Sequence, residues 1–381
     1  MKKKIMAVFG TRPEAIKMAP VIREISKSSR LELLTVVTGQ HRDMLDQVLE
    51  LFKIEPDYDL NIMLDGQSLE DVTTGVLEGL KDIYINELPD AVLVQGDTTT
   101  AFAAALGAYY ERIPVGHVEA GLRSDDIYNP FPEEINRRLA DTVSRWHFAP
   151  TFGNSRNLLK ENIKENVFIT GNTVIDALLQ VAKENLEPSR TELIRQKKRG
   201  GRFVLITAHR RENFGGPLEN ICGGIKELAL KYPDTDFIYP VHPNPNVKNT
   251  VEEIIGDVEN IKLIQPVAYG DMVWLLKHAY FCMSDSGGIQ EEAPSMGKPV
   301  LVLREVTERP EAVEAGTVKV IGTGASEVYR WGDKMLSDRE FYDKYSRAHN
   351  PYGDGRAASR IVEFIEYKFN LRKKEPRPWT T

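Results

Sequence analysis

The chain has 381 residues, of which 41% are hydrophobic and 28% are charged, and its formal net charge is −7. This length allows two or three domains with sizeable cores. The negative charge argues against a general nucleic-acid-binding protein, which would carry a basic face.

Targeting segments and disulfides are not expected from the sequence. The apolar part of the N-terminus is too short for a signal peptide and predicts a first strand, and no stretch is long enough to span a bilayer. The two cysteines, Cys222 and Cys282, lie far apart in apolar segments, which is too few for a disulfide framework. We therefore expect a cytoplasmic protein with two buried thiols.

In the first half of the chain, short β-branched runs alternate with amphipathic helical patterns such as PEAIKMAPVIREISK. This alternation is typical of a parallel sheet with helices on both faces. We predict one Rossmann-like unit that ends near Gly171. Its predicted strands are IMAVFG, LLTVVTG, AVLVQGD, VGHVEA, WHFAP and VFITG.

A helical pattern, TVIDALLQVAKENL, and a polar segment, EPSRTELIRQKKRGGR, follow, and we interpret the polar segment as a linker. The alternation then restarts and predicts a second Rossmann-like unit. The chain closes with the helical pattern ASRIVEFIEYKF and a polar tail that we expect to fray. The strands predicted for the second unit are FVLITAH, FIYPVH, IKLIQP, YFCMSD, PVLVLR and TVKVIG.

Two doubly wound domains in tandem bind ligands beyond the carboxyl ends of their strands. The usual cofactor signatures are missing there. No G-x-G-x-x-G follows the first strand, GKP at 297–299 lacks the hydroxyl of a P-loop, and no His/Cys spacing fits structural zinc. We therefore expect no cofactor and no metal.

Two cations follow the first predicted strand, in GTRPEAIKMAP. Pro13 suits the first helical position, which places Arg12 at the helix mouth and Lys17 about one turn inside. Two cations at a helix N-terminus oppose the helix dipole, which suggests an anion shared between them. The alternative is a pair of solvated charges.

Acidic residues follow the later strands of the first half. Asp97 precedes a threonine-rich helical segment, so it is either an N-cap or a reactive group. Glu119 comes just past the next strand. Glu133 and Glu134 fall in the first turn of a helix, where carboxylates stabilise the helix itself, and Glu134 can form a simple surface pair with an arginine one turn later. Their shared position at strand ends predicts a site.

In the second half, His209 and Arg210 follow one strand, His242 follows the next, and Arg309 lies on a later loop. A lone histidine is usually structural. Two histidines at equivalent strand ends, one of them flanked by arginines, favour an anion-facing role.

The segment SDSGGIQEE, 284–292, places two glycines between a strand and a helix. Such glycines are typical of an anion held at a helix N-terminus. Glu291 and Glu292, one turn later, would repel a bare phosphate. The ligand should therefore present both an anion and groups that donate to a carboxylate.

Taken together, these motifs resemble the non-hydrolysing UDP-N-acetylglucosamine 2-epimerases, in the family's order and over nearly the whole chain. The resemblance implies a GT-B fold, which is α/β with two Rossmann-like domains and an interdomain cleft. It places domain boundaries at 1–171, with a C-terminal helix at about 356–381 packing back on it, and at 172–355. The motifs are FGTRPEAIKMAP, GDTTT, HVEAGLRS, PEEINRR, GNTVIDAL, TAHRREN, SDSGGIQEEAPSMGKPVLVLR and TERPEAVEAGTVK.

The resemblance also implies a function. The family converts UDP-N-acetylglucosamine (UDP-GlcNAc) reversibly into UDP-N-acetylmannosamine (UDP-ManNAc), usually as a homodimer, without nicotinamide or an essential metal. UDP leaves together with the C2 proton to give a glycal, and re-addition with a proton on the opposite face gives the epimer. The product would supply ManNAc for cell-surface polysaccharide.

Residue roles carried over from the family fall into three groups. In the first group, which serves the substrate and the leaving group, Glu292 accepts from the ribose. The other residues of this group contact the diphosphate or meet the charge of departing UDP. The second group holds the acids for the C2 proton, and which of them takes it stays open. The first group, for the substrate and the leaving group, comprises Ser286, Gly287, Gly288, Glu292, Arg12, Lys17, His209 and Arg309, of which His209 is also counted as catalytic. The second group, for proton transfer, comprises Asp97, Glu119 and Glu133. The third group, for a second, activating UDP-GlcNAc, comprises Gln40, Arg210 and His242.

Two features separate this chain from the relatives that a second UDP-GlcNAc activates. Asp43 and Gly66 stand where we would expect Gln and Arg, which argues against allosteric activation. The segment 266–272 also diverges, so the uracil contacts are not assigned. The alternatives are a hydrolysing epimerase that releases ManNAc and UDP, a GT-B glycosyltransferase, and a non-catalytic UDP-sugar sensor.

Overall fold

The chain divides into two compact units. Unit 1 comprises Met1–Ala177 and Tyr352–Thr381, and unit 2 comprises Leu178–Pro351. Each unit is built around its own parallel sheet with helices between the strands, so the predicted α/β class with two Rossmann-like domains is confirmed. A computed structural model describes residues 2–40, 42–63 and 66–380, without the side chains of 42–44.

Unit 1 alternates strands and helices along most of its length. Its elements are β1 (Lys3–Phe9), α1 (Arg12–Lys27), β2 (Leu31–Val37), α2 (Arg42–Phe52), β3 (Tyr58–Asp59), α3 (Leu69–Glu87), β4 (Ala91–Gln95), α4 (Thr99–Tyr110), β5 (Val115–Val118), α5 (Glu133–Val143), β6 (Trp146–Ala149), α6 (Phe152–Lys160), β7 (Val167–Ile169) and α7 (Thr173–Lys183), which continues into unit 2. Within the described part, these strands form one parallel sheet in the order β3-β2-β1-β4-β5-β6-β7. The order reverses between β1 and β4, and α/β sheets bind ligands at such a switch point.

The core of unit 1 explains why its strands are almost continuously apolar. Every residue of β4 and of β5 is buried, as expected for parallel strands covered on both faces. On one face, Val8, Val36 and Val92 pack against helices α3 and α4. The buried alanines of α4 let that helix approach the sheet closely.

The C-terminal segment belongs to unit 1. Its helix, Ala357–Lys368, buries Phe364 against the rings of Phe148 and Phe168. The expectation that the polar tail frays is wrong. Trp379 is buried, and its backbone N–H donates to the Ile169 carbonyl oxygen at 2.8 Å. Burial of the aromatic ring outweighs the entropy lost in ordering a short polar segment.

Unit 2, all of whose residues are described, repeats the pattern. Its elements are α8 (Thr191–Arg199), β8 (Arg202–Thr207), a 3-10 turn (Arg211–Asn213), α9 (Gly216–Lys231), β9 (Thr235–Pro240), α10 (Pro245–Ile255), β10 (Ile261–Ile264), α11 (Tyr269–His278), β11 (Cys282–Ser284), α12 (Gly287–Glu292), a 3-10 turn (Ala293–Met296), β12 (Val300–Val302), α13 (Pro310–Glu314), β13 (Val318–Val320), α14 (Ala325–Ser337) and α15 (Arg339–Ser346); the unit 1 helix Ala357–Lys368 is α16. The parallel sheet has the order β10-β9-β8-β11-β12-β13, with its switch point between β8 and β11.

Two expectations about unit 2 are settled by its packing. The segment interpreted as a linker contains α8, because Leu193 and Gln196 lie three residues apart and bury one face of a helix. Cys222 and Cys282 are buried free thiols, as expected, and burial raises the pKa of each to about 12.

Candidate functional sites

Unit 1 collects its predicted site residues at the carboxyl ends of neighbouring strands. Arg12 opens α1 directly after β1, Asp97 follows β4, and Glu119 follows β5. In the sheet β1, β4 and β5 are adjacent, so these residues share one edge at the switch point. This is where the sequence predicted a ligand site.

Glu119 is the centre of a buried polar cluster. Its carboxylate accepts from Lys17 Nζ, with Nζ–Oε1 and Nζ–Oε2 distances of 2.7 and 2.5 Å. Gln95 Nε2 donates to Oε2, and Asn172 Nδ2 donates to Oε1 at 3.2 Å. Glu119 also has a φ of 69°, a left-handed conformation that costs about 1–3 kcal/mol for a non-glycine residue and is common at functional sites.

This cluster revises the expected role of Lys17. Arg12 and Lys17 were expected to share an external anion, but Lys17 forms an ion pair with Glu119 inside the unit. The side chain of Glu119 is only 8% exposed, so its charge needs a partner. The cation therefore holds a carboxylate in place at the strand ends.

Asp97 lies in a turn that several elements hold. Its carboxylate accepts from Arg137 Nη2, and Asn136 Nδ2 donates to the Asp97 carbonyl at 3.0 Å. The N-cap of α4 is Thr98, whose hydroxyl accepts from Ala101 N–H. The interpretation of Asp97 as an N-cap is therefore wrong, and its carboxylate instead forms an ion pair with Arg137 at the strand end.

The two glutamates that open α5 have different surroundings. Glu134 is fully buried and accepts from the Ser124 N–H, Arg137 and Arg138, so the simple surface pair is wrong. Glu133 is half-buried, and among the described residues no donor lies within hydrogen-bond distance of its Oε2. The Oε2 atom of Glu133 is thus a buried carboxylate oxygen with no hydrogen-bond donor among the described residues.

Glu14 was not singled out from the sequence. It is buried in α1, and its Oε2 accepts from the N–H groups of Gly10 and Thr11 at 3.0 and 2.8 Å. Its Oε1 accepts from the Thr98 hydroxyl at 2.6 Å, which ties the Arg12 loop to the Asp97 turn. Burial raises the pKa of Glu14 to about 6, and the hydrogen bonds oppose this shift.

Asp285 organises the switch point of unit 2. It is fully buried at the end of β11, and its Oδ2 accepts from the N–H groups of His209 and Arg210, both at 2.8 Å. Asn213 Nδ2 donates to the same oxygen at 3.0 Å. The loop after β8 is therefore fastened to the loop after β11.

His209 stacks on His242, with ring centroids 5.4 Å apart and planes inclined by 13°. Its Nδ1 lies 3.9 Å from Asp285 Oδ1, which is too long for a hydrogen bond. Burial lowers the pKa of His209, and nearby His242 and Arg210 lower it further against the attraction of Asp285. At neutral pH His209 is thus a neutral donor rather than a cation.

The glycines of SDSGG lie beside two guanidinium groups. A Cβ added to Gly287 would be 3.4 Å from Arg309 Nη2 and 3.7 Å from Arg210 Nη2. Arg309 Nε donates to Glu291, which orients that guanidinium. Ser286 occupies the N-cap position of α12. These groups present a concentration of donors and positive charge suited to an anion.

Gly288 and Glu292 lie on the same short helix. A Cβ added to Gly288 would be 3.5 Å from Glu292 Oε1, so a carboxylate does lie within one turn of the glycines. The Tyr269 hydroxyl donates to Glu292 Oε2 at 3.0 Å and holds the carboxylate in place. Tyr269 falls in the segment whose ligand contacts were not assigned.

The residues considered for an activating ligand belong to different units. Gln40 belongs to unit 1, where its Oε1 accepts from the Thr100 hydroxyl at 2.9 Å. Arg210 and His242 belong to unit 2 and lie against residues already assigned to the substrate. The side chain of Asp43 lies outside the described residues, and Gly66 is exposed.

Sequence reasoning missed the residues that hold these groups. Gln95, Asn172 and Arg137 contact the predicted acids, and Asp285 joins two loops of unit 2. Arg137 lies in PEEINRR, Asn172 in GNTVIDAL and Asp285 in SDSGG, so of these four residues only Gln95 falls outside the motifs that carry the resemblance. In the described part of the chain, no group of His, Cys, Asp or Glu is arranged to hold a metal ion, and no helix has the length and hydrophobicity needed to cross a membrane.

Comparisons with known proteins agree over nearly the whole chain. A model of the UDP-N-acetylglucosamine 2-epimerase family matches residues 23–366. A Salmonella typhimurium protein named UDP-N-acetylglucosamine 2-epimerase is 52% identical over 375 residues, covering 97% of this chain and 100% of that protein.

Solved structures also align over nearly the full length. The Neisseria meningitidis UDP-GlcNAc 2-epimerase bound to UDP-GlcNAc is 49% identical, covers 96% of this chain and 100% of its own, and has a TM-score of 0.86. The S. aureus protein MnaA in complex with UDP is 48% identical, covers 99% and 100%, and has a TM-score of 0.87. With its two parallel sheets and this similarity, the chain belongs to the UDP-N-acetylglucosamine 2-epimerase family.

Proposed function

We propose that this protein interconverts UDP-GlcNAc and UDP-ManNAc without releasing free sugar. UDP is eliminated to give 2-acetamidoglucal, and its re-addition completes the epimerisation. The relatives named above support the substrate, since one was crystallised with UDP-GlcNAc and another with UDP. The product would supply ManNAc for cell-surface polysaccharide, and we place the reaction in the cytoplasm, where nucleotide sugars are made.

We assign the binding of UDP to unit 2. Arg210 and Arg309 beside Gly287 would meet the diphosphate, and the carboxylate of Glu292, held by Tyr269, would accept from the ribose hydroxyls. Fixed donors aimed at the leaving group stabilise the charge that develops as the anomeric C–O bond breaks. Neutral His209 would add an N–H donor there.

Unit 1 is assigned the C2 proton. As the C1–O bond breaks, C1 becomes electron-poor and the C2–H bond becomes acidic. A carboxylate takes that proton, the C–H electrons form the C1=C2 bond, and the C–O electrons leave with UDP. In the return step a proton adds to the opposite face of C2 and a diphosphate oxygen of UDP re-forms the bond to C1, so the atoms balance without another reactant.

Three carboxylates in different electrostatic settings carry this proposal. Glu119 is paired with Lys17 and Asp97 with Arg137, whereas no described donor reaches Glu133 Oε2. Glu133 can take or give a proton without an ion pair being broken, so we assign it one of the two proton transfers. Its partner on the other face is Asp97 or Glu119. A sugar-binding sensor has no use for such a set.

We also propose a homodimer formed through unit 1. Helices α3 and α4 pack together and expose large apolar side chains near their C-terminal ends. Leu88, Tyr109 and Tyr110 are 75%, 57% and 65% exposed. The ring centroids of Tyr109 and Tyr110 lie 6.4 Å apart, and clustered large apolar side chains in water are typical of an association surface. The substitution Tyr110→Glu should give monomers in sedimentation analysis, and an unchanged mass would contradict this surface.

The experiment that tests the reaction is proton NMR of UDP-GlcNAc incubated with the protein in D2O. We expect UDP-ManNAc with deuterium at C2 and recovered UDP-GlcNAc that is also labelled. Free ManNAc together with UDP would instead identify a hydrolysing enzyme. An unchanged spectrum, with binding confirmed by calorimetry, would favour a sensor.

The acid assignment has its own test in the amide variants Asp97→Asn, Glu119→Gln and Glu133→Gln. Glu133→Gln and at least one of the other two variants should lower kcat by about two orders of magnitude or more, because a positioned acid or base contributes about 10²–10⁴-fold. Glu253→Ala, on the exposed face of α10, is a matched control. Full turnover in any amide variant would remove that residue from the mechanism.

A further inference from the structure

His117 is a buried histidine to which the mechanism above assigns no role. It lies on β5, two residues before Glu119, and its ring is fully buried. Its Nδ1 lies 2.6 Å from Asp141 Oδ1, and its Nε2 lies 2.7 Å from the carbonyl oxygen of Gly96. Both ring nitrogens are therefore at hydrogen-bond distance from oxygens.

Neither of these oxygens has a proton to give. The Gly96 carbonyl is only an acceptor. Asp141 is fully buried and already accepts from Arg123 Nη2 at 2.7 Å and from the Gly121 N–H at 3.3 Å, so it is a carboxylate rather than an acid. A neutral imidazole has one N–H and would leave one of its two nitrogens facing an oxygen with no proton between them. The geometry requires both ring nitrogens to be protonated.

The charges around the ring are balanced in this state. Asp141 pairs with His117 and Arg123, and Arg123 also pairs with Glu161. Glu161 lies 3.7 Å from Arg138 Nη1, and the guanidinium of Arg138 pairs with Glu134. His147, on β6, contacts the Asp141 carbonyl through Nε2, and burial lowers its pKa, so it adds no charge at neutral pH. For His117, burial opposes ionisation, but the charge and hydrogen bond of Asp141 outweigh it and raise the pKa.

The Gly96 carbonyl held by this ring belongs to the turn that presents two site residues. Gly96 has a φ of 70° and connects Gln95, which donates to Glu119, with Asp97. A hydrogen bond from a charged donor is roughly twice as strong as one between neutral groups. The ring therefore fixes Gly96. This residue lies between Gln95, which positions Glu119, and Asp97, which is the second acid.

We propose that His117 is a positioning residue, an imidazolium anchored on Asp141 that holds the Gly96 carbonyl and thereby orients Asp97 and the Gln95–Glu119 contact. This role rests on the proposed function, because it serves the proton transfers assigned to those carboxylates. His117 itself touches no reacting atom. Its loss should therefore affect turnover and leave UDP binding, which is assigned to unit 2, nearly unchanged.

Two substitutions separate the contacts of the ring. In His117→Gln the amide nitrogen falls near the position of Nε2 and can still donate to Gly96. In His117→Asn it falls near Nδ1, so the Asp141 contact stays and the Gly96 contact is lost. We expect His117→Asn to lower kcat per folded molecule by about 10–100-fold with little change in KM, since a misplacement of about 1 Å can cost that much. His117→Gln should retain clearly more activity.

Nitrogen NMR of histidine-labelled protein tests the charge without using activity. The His117 ring signals are those missing from the spectra of both variants. We expect both nitrogens of the wild-type ring to stay protonated from pH 6 to pH 8, a range chosen about the ordinary histidine pKa of about 6.5. The charge is measured on the wild-type chain, and either variant that folds is enough to assign the His117 signals by difference.

The outcomes distinguish the two proposals. Failure of the wild-type protein to form UDP-ManNAc would overturn the proposed function and, with it, the kinetic role of His117. Formation of UDP-ManNAc by a wild type whose His117 ring has an unprotonated nitrogen would overturn the role of His117 alone. Equal kcat in the wild type and both variants would do the same.

Discussion

The ion pair between Lys17 and Glu119 yields a prediction with a magnitude. The substitution Lys17→Met removes the cation but keeps a side chain of similar length. Glu119, whose side chain is 8% exposed, is then left with the neutral amide donors of Gln95 and Asn172 among its described contacts. Removing one partner of a fully buried pair costs about 3–5 kcal/mol.

The expected cost is smaller here, because the Lys17 side chain is 21% exposed and water screens part of the pair. We expect a loss of about 2–3 kcal/mol in the free energy of unfolding of unit 1. Unit 1 has about 200 residues, and for that size each kcal/mol shifts Tm by about 2–4 °C. The unit 1 transition should therefore fall by about 4–12 °C.

Differential scanning calorimetry measures this shift, and α1 itself offers a matched control. Lys27, ten residues further along the helix, pairs with Glu24 on the surface, where an ion pair is worth about 0–1 kcal/mol. Lys27→Met should leave Tm almost unchanged. The double substitution Lys17→Met, Glu119→Gln should melt above Lys17→Met, because it also removes the buried negative charge that Lys17 offsets. Equal melting of the Lys17→Met and Lys27→Met proteins would refute this reasoning.

Three further predictions concern other groups. Glu292→Ala should weaken UDP binding at least about tenfold in calorimetry, since hydrogen bonds to a charged group contribute about 1.5–3 kcal/mol, and unchanged affinity would sink the ribose assignment. Glu14 has a folded-state pKa of about 6 against an ordinary 4.5, so its stabilising contribution is complete below pH 4.5 and is lost as the pH rises through 6. Relative to the Glu14→Gln protein, the wild type should therefore lose about 2 kcal/mol of stability between pH 4.5 and 7. A pH-independent difference in Tm between the two proteins would contradict this. Trp379→Ala should lower the stability of unit 1 by about 2–3 kcal/mol, less than a central core tryptophan, and an unchanged Tm would mean that the tail contributes nothing.

Much of the fold could be predicted from periodicity. The predicted strands correspond to observed ones because strands covered on both faces are mostly apolar, and most of them end at or within two residues of a Gly, Asp or Pro. The two-residue strand β3 was not predicted, since Tyr58–Asp59 is too short to show a pattern. Helix α8 and the docked tail were misinterpreted because polar composition dominates both segments. In the tail, the buried Trp379 also contacts a residue far away in sequence, Ile169.

The candidate sites followed the same division. Placing Asp97, Glu119 and His209 at strand ends needed only the pattern of strands and the rule that parallel strands end on one edge. The interaction partners of each group could not be predicted in that way. Whether Asp97 is an N-cap or an ion-pair partner depends on where Arg137 lies, and that arginine is 40 residues away.

By itself, the sequence determined the fold class, the order of the elements and the family, because these depend on local periodicity and on motifs in a fixed order. Only the tertiary structure decided which charges meet. Lys17 and Glu119 are separated by 102 residues, and His117 reaches Gly96 across neighbouring strands. Such pairings arise from strand order, register and burial, and burial makes each charge or donor depend on its partner. That is why the acids could be named from the sequence and their supports could not.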